Sequence, residues 1–160
     1  MTGVMKTGTI SLVVLMILSA AAYGGGRKGS KAFFISFHVE GENVGGSRRV
    51  VADTIGGRQV YFKRSPAITS KDIEAYWPFP ADDGTFGVAL KLNARGRREL
   101  QTLGIVEQGK LLRAVVSMRL VDTLVIDQAP NDGTIVIWRG VTEADLAKMA
   151  KMFKQMGEGL

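Results

Sequence analysis

Phe86-Gly87-Val88-Ala89-Leu90-Lys91-Leu92-Asn93-Ala94-Arg95-Gly96-Arg97-Arg98 passes from one structural period to another without a break. Phe86, Val88, Leu90 and Leu92 alternate with smaller or charged residues, the two-residue period of a half-buried strand. Asn93 then supplies a side-chain oxygen suited to capping a helix. The helix is predicted to run to Leu103, with Gly104 as its stop. Gly96 inside it costs about 0.5–1 kcal/mol relative to Ala, which a close backbone approach to the sheet would rationalise. A strand feeding directly into a helix sets the theme for the whole chain.

Working outward, Ala32 to Glu40 alternates in the same way. Phe33, Ile35, Phe37 and Val39 share one face; Phe34, Ser36, His38 and Glu40 share the other. Arg48 to Thr54 and Gln59 to Lys63 read as strands around a Gly56-Gly57 turn. Pro66 to Ala75 reads as a short helical turn capped by Thr69 or Ser70. Pro78, Pro80, Asp82, Asp83 and Gly84 break the chain, so Tyr76-Trp77-Pro78-Phe79 is assigned to a loop. Leu111 to Met118 and Leu120 to Asp127 should pair. Asn131-Asp132-Gly133 is a turn and Thr134 to Trp138 a further strand. Thr142 opens a second helix, with Asp145 completing an approximate capping box and Leu146, Met149, Ala150 and Phe153 forming one buried stripe. The fold class is α+β, an antiparallel sheet with helices packed on one face.

The N-terminus carries a different message. Lys6 precedes an apolar run from Ile10 to Leu18, and the small residues Ala20 and Ala22 follow. This is the build of a secretory signal peptide, cleaved after Ala22, and the run is shorter than the roughly 20 residues that span a bilayer. An uncleaved membrane tether is the alternative. Residues 1–22 are therefore read as a signal, 23–31 as a flexible linker, and 32–156 as a single α+β domain. The expected location is periplasmic or extracellular.

Composition excludes much. The 160-residue chain has 21 Lys and Arg against 15 Asp and Glu, a net charge of +6, and the charges are scattered. That pattern, without aromatics interleaved among basic clusters, is no nucleic-acid footprint. Cysteine is absent, which removes disulfides, thiol catalysis and Cys-ligated zinc. One histidine, no phosphate-binding glycine loop and no Gly-x-Ser-x-Gly elbow leave no catalytic residue, metal or cofactor to nominate.

The candidate contacts are surface features. Tyr76, Trp77 and Phe79 place large aromatic groups in a predicted loop, where such groups need a reason. The ordinary reading is that they cap the open side of the core; the functional reading assigns them to partner binding, with an unpaired sheet edge nearby for strand addition. Arg95 and Arg98, beside Arg97, offer a basic helical surface for an acidic client segment or lipid headgroups. Asp82-Asp83 has turn composition, His38 reads as an ordinary hydrogen-bonded histidine, and Asp122, Asp127 and Asp132 lack metal-loop spacing.

Four blocks in register resemble the first periplasmic region of SecD, a subunit of the bacterial SecDF protein-export complex. They are Pro66-Ala67-Ile68-Thr69-Ser70-Lys71-Asp72-Ile73, then Val88 through Arg98, then Gly109-Lys110-Leu111-Leu112 with Ala114-Val115-Val116. The last is Gly133-Thr134-Ile135-Val136-Ile137 with Thr142-Glu143. The likeness covers residues 66–152. The family's Asp-Gly hairpin, suited to a tight turn, is replaced here by Ser117-Met118-Arg119-Leu120. The resemblance implies a ferredoxin-like α+β domain that contacts an exported, unfolded polypeptide or an envelope protein, including the export machinery. It does not imply proton-driven transport, because the chain has no bundle of transmembrane helices to carry it. Two alternatives stand beside it. One is a small exported hydrolase using carboxylates such as Asp82 and Asp127, which two carboxylates about 5–9 Å apart in one pocket would mark. The other is a self-associating structural envelope protein.

Overall fold

In the computed structural model, residues 33–46, 48–127 and 132–157 are described. The signal (1–22) and linker (23–31) assignments lie outside these residues. In chain order the elements are β1 (Ile35–Val39), β2 (Val50–Ile55), β3 (Arg58–Lys63), β4 (Ile68–Thr69), a 3-10 turn (Ser70–Asp72), β5 (Ile73–Pro80) and β6 (Phe86–Leu92). There follow α1 (Ala94–Val106), β7 (Leu111–Val116), β8 (Arg119–Val125), β9 (Thr134–Val141), α2 (Glu143–Met152) and β10 (Lys154–Gln155).

The α+β class holds, and the expected sheet is divided. One four-stranded sheet runs β4–β1–β7–β8, a second runs β10–β5–β6–β9, and β2–β3 forms a separate ribbon. Every pairing is antiparallel except β10 against β5. The ribbon joins the first sheet through a bridge between Glu40 and Phe62. The two sheets meet where β8 runs beside β9: Trp138 N donates to Asp122 Oδ2 at 2.8 Å, and Arg119 Nη1 donates to Gly140 O at 3.2 Å.

Alternation decides what is buried. Ile35, Phe37 and Val39 of β1, Val88, Leu90 and Leu92 of β6, and Ile135 and Ile137 of β9 all enter one core. Helix α1 contributes Leu100 and Leu103, and α2 contributes Met149. Each fully buried aliphatic or aromatic side chain contributes roughly 1.5–3 kcal/mol, so this shared core holds both sheets and both helices together. In the stripe expected on α2, Leu146 and Phe153 pack against the core, whereas Ala150 is exposed. The buried first-turn position is Asp145 instead.

Two carboxylates lock the starts of these units in the same way. Asp72 Oδ2 accepts from Thr69 N at 2.9 Å and Thr69 Oγ1 at 3.1 Å, while its Oδ1 accepts from Arg95 at 3.1 Å. Asp145 Oδ2 accepts from Thr142 N at 3.0 Å, from Thr142 Oγ1 at 2.7 Å, and from Arg119. Both aspartates are buried, at 2% and 4% exposure. A buried charge survives only when paired and hydrogen-bonded, and each is satisfied by the same Thr-x-x-Asp geometry plus one arginine.

Two further expectations need correction, and a third is made specific. Tyr76-Trp77-Pro78-Phe79 is not a loop but the middle of β5, in register with Leu90 to Gly87 of β6. Its prolines are tolerated because β10 pairs only with Ala75 and Tyr76, leaving the rest of that strand at a sheet edge. Helix α1 continues through Gly104 to Val106. The left-handed glycine that follows the helix is Gly109, with φ 83°. Gly96 is pressed against the 3-10 turn as well as the sheet: a Cβ there would stand 2.9 Å from Asp72 Cβ and 3.1 Å from Leu92 Cβ.

Candidate functional site

The sheet β10–β5–β6–β9 has one face in the core and one turned outward. On β5, Tyr76 is 3% exposed and Trp77 50% exposed. Phe79, two residues on, follows Trp77 to the outer face and is partly covered. Pairing across the sheet places Trp77 opposite Ala89 and Ala89 opposite Val136. Trp138, 62% exposed, lies two residues beyond Val136 on the same face. Phe79 and Trp138 meet edge to face at 6.1 Å between ring centroids with an interplanar angle of 67°, a favourable aromatic geometry. Gly87 makes this contact possible, since a Cβ on it would stand 2.2 Å from the Phe79 ring.

The structure thus splits the predicted aromatic cluster. Trp77 and Phe79 remain on the surface, and Tyr76 does not: its ring is in the core. Trp138 joins them and was missed. Its signal was present, because Ile135 and Ile137 alternate inward and force Trp138 outward.

Strand addition along β5 is also disfavoured. Met156 N donates to Tyr76 O at 2.8 Å, so Tyr76 directs its backbone groups to the outer edge. By alternation Pro78 and Pro80 do the same, and proline has no N–H to donate. The edge beyond Tyr76 is blunted against pairing. The outer face of this strand therefore presents side chains rather than free backbone donors.

Arg95 and Arg98 are not gathered with these aromatics. Arg95 pairs with Asp72 and borders a separate groove; Arg98 is exposed on α1. That groove, about 810 Å³, lies between the outer face of β1 and β7 and the β2–β3 ribbon. Phe34, Val51, Phe62, Val115 and Met118 give it an apolar lining. His38 is in it with both ring nitrogens in contact, Nδ1 3.0 Å from Lys63 O and Nε2 3.0 Å from Ser36 Oγ.

Asp83 and Asp132 brace turns, and Asp122 joins two strands. Asp82 and Asp127 border different depressions. Asp83, which shares one with Asp82 and Asp122, accepts from Thr85 Oγ1 and from Thr85 N, at 3.0 Å. Those bonds hold its carboxyl below the usual range, the opposite of what a proton donor needs. Asp132 is likewise held down by Thr134, which donates from Oγ1 at 2.8 Å and from N at 3.1 Å. Asp122 accepts from Trp138 N and Thr123 N. Among the described residues no group of three or more His, Asp or Glu is placed to hold a metal ion. Among the same residues no helix is long and apolar enough to cross a membrane.

No family model matches the chain, and no curated protein matches it in sequence. Solved structures do. SecDF, described as a membrane component that enhances protein export, superposes with a TM-score of 0.52 and 16% identity, over 76% of this chain and 63% of that one. A SecDF structure in the super-membrane-facing form matches with a TM-score of 0.49 and 18% identity, over 73% of this chain and 18% of that one. The chain therefore spans less than two thirds of the length of these proteins. The resemblance read from residues 66–152 and the structural likeness agree, and what they establish is that this chain has an α+β fold also found in SecDF.

Proposed function

We propose that this chain is an exported, SecD-like, non-enzymatic domain that binds unfolded polypeptide or an envelope protein partner, without proton-coupled transport of its own. The observation that carries the reading is the outer sheet face bearing Trp77, Phe79 and Trp138 on a fold shared with a component that enhances protein export. Two half-exposed tryptophans on a rigid sheet supply large contact area with little side-chain entropy to lose, the property of binding hot spots. Arg98, exposed on α1, offers a second contact for acidic stretches of the partner, and Arg95 a lesser one because Asp72 already engages it. A periplasmic or extracellular setting follows from the signal-peptide reading of residues 1–22. Association with the export machinery follows from the fold likeness alone.

The test is a binding titration of the full chain against a permanently unfolded, exported polypeptide, read by tryptophan fluorescence and calorimetry. Trp77→Ala and Trp138→Ala should each weaken binding about tenfold, the loss expected of a hot-spot residue, while the melting temperature moves little. Undiminished binding in both variants overturns the assignment. Loss of concentration-dependent self-association in both, with no polypeptide bound by the parent chain, gives the face to a second copy instead.

A further inference from the structure

We infer that the groove between the β1–β7 face and the β2–β3 ribbon is a binding site for a long-chain alkyl carboxylate, an amphiphile of the fatty-acid class. The inference does not rest on the aromatic face, since none of Trp77, Phe79 and Trp138 borders this groove; Arg95 alone is offered to both. Its volume, about 810 Å³, falls within the roughly 300–1,000 Å³ of sites that take one small molecule.

The chemistry of the lining selects the ligand. The hydroxyl and imidazole groups of the floor are already engaged, Ser36 Oγ with His38 Nε2, His38 Nδ1 with Lys63 O, and Ser70 Oγ with the backbone of Ile35. The buried Nε of Arg113, by contrast, has no partner among the described residues and is a donor suited to an anion. A peptide laid there would bury a run of amides, and the one unpartnered buried donor named, Arg113 Nε, could meet only a single carbonyl. An alkyl chain asks for no partner, and it would rest on Phe34, Val51, Val115 and Met118.

The charge at the rim is of one sign. Lys63, Arg64, Lys71, Arg95 and Arg113 border the groove, and no Asp or Glu does. Three of these cations are held from behind, Lys63 by Glu107 at 2.7 Å, Arg95 by Asp72 at 3.1 Å and Arg113 by Asp53 at 3.6 Å. Arg64 and Lys71 meet no carboxylate among the described residues. Two uncompensated cations beside an apolar trough complement a ligand with a hydrocarbon body and one anionic end. The chain's own apolar N-terminal run fits less well. Residues 1–32 carry Lys6, Arg27, Lys28 and Lys31 and no acidic side chain, so they would bring like charge to the rim.

The experiment displaces dansyl-undecanoate from the full chain with unbranched alkanoates of increasing length, all below their micelle concentrations. Saturable binding at one site per chain is expected, with affinity rising up to about fourfold per added methylene until the groove is filled, the gain expected for one buried methylene. Alkyltrimethylammonium ions of equal length should bind at least tenfold more weakly. Arg64→Glu combined with Lys71→Glu should weaken the alkanoate at least tenfold at an unchanged melting temperature. Because Arg64 also donates to Arg48 O, Val51→Glu gives a separate arm at an exposed position and should produce the same loss. Trp138→Ala should change nothing. The proposal is overturned by non-saturable uptake, by equal affinity for the cationic analogue, or by indifference to both sets of groove variants. It is equally overturned if the probe depends on Trp138, or if binding occurs only to vesicles of anionic phospholipid and never to free alkanoate.

Discussion

Gly96 and Asp72 touch backbone to backbone: a Cβ on Gly96 would lie 2.9 Å from Asp72 Cβ and 3.0 Å from Asp72 O. The contact seats the first turn of α1 on the 3-10 turn that precedes β5. Asn93 fastens the same junction, its N donating to Asp72 O and its Nδ2 to Lys71 O, both at 2.9 Å. Propensity alone says that Gly96→Ala should stabilise α1 by about 0.5–1 kcal/mol. Packing says the reverse, since forcing a methyl against backbone costs about 1–3 kcal/mol. Packing should win because neither Asp72 nor Leu92 can retreat from a filled core. The expected result is a net loss of about 1–2 kcal/mol by chemical denaturation. A gain would show that the junction yields easily.

The β7–β8 hairpin turns on two residues, Ser117 and Met118, with φ 49° and 67°. Both are in the left-handed region that costs an L side chain roughly 1–2 kcal/mol. Such pairs of positive φ define the tight turn that Asn-Gly fills best. Ser117→Asn with Met118→Gly should therefore stabilise the chain, by about 1 kcal/mol after the extra backbone entropy of Gly is subtracted. The check is a higher denaturation midpoint at constant m-value. An unchanged or lower midpoint would mean that Met118 contributes packing that offsets its strain.

That turn shows where sequence reading succeeds and where it stops. Apolar alternation made β1 and β6 and the inward residues on each legible, because burial of one face leaves a period that cannot be hidden, and β7 was legible only as an apolar run that should pair with β8. The caps Asn93 and Thr142 were legible because side-chain oxygens at those positions have few other uses. Tyr76-Trp77-Pro78-Phe79 was misread because proline signals a break locally, whereas its cost vanishes at an edge that lacks a partner strand. Edge position is a tertiary fact. The division into two sheets was hidden for the same reason, as was the neighbourhood of Phe79 and Trp138, which are far apart in sequence. The Gly96 contact was foreseen only in kind, since nothing local says which backbone comes close.

Glu107 ends α1 and ties it to the ribbon. Its carboxylate accepts from Lys110 Nζ at 2.6 Å and from Lys63 Nζ at 2.7 Å. These bonds, Lys110 first, pull the Glu107 carboxyl below its ordinary value, and the same contact raises the Lys110 ammonium. A carboxyl whose folded pKa is depressed stabilises fully above its unfolded pKa of about 4.3, and the contribution disappears as pH falls through the folded value. Both lysines are about half exposed, so the whole cluster should contribute about 1 kcal/mol or less. Glu107→Gln should cost that amount at pH 7 and nothing near pH 3. The two stability curves should converge as pH falls, and parallel curves would contradict the assignment. Asp83 and Asp132 titrate in the same direction in both proteins and cancel in the comparison.

Asp145 and Arg119 join the start of α2 to the start of β8, and Asp72 and Arg95 repeat the pairing at the 3-10 turn. The two pairs differ in exposure, with the arginine side chain 49% exposed in the first and 70% in the second. Coulomb attraction and hydrogen bonding strengthen as water is excluded, and Arg119 is further fixed by its bond to Gly140 O. A double-mutant cycle should give about 1 kcal/mol of coupling for Arg119 with Asp145, and less than half of that for Arg95 with Asp72. Asp145→Ala alone should cost about 2–3 kcal/mol, since it also strips the acceptor from Thr142 N and Oγ1. Arg119→Ala should cost only about 1 kcal/mol, because Asp145 keeps its two bonds from Thr142. Equal losses for the two single variants would mean that the carboxylate depends on the arginine rather than on the cap.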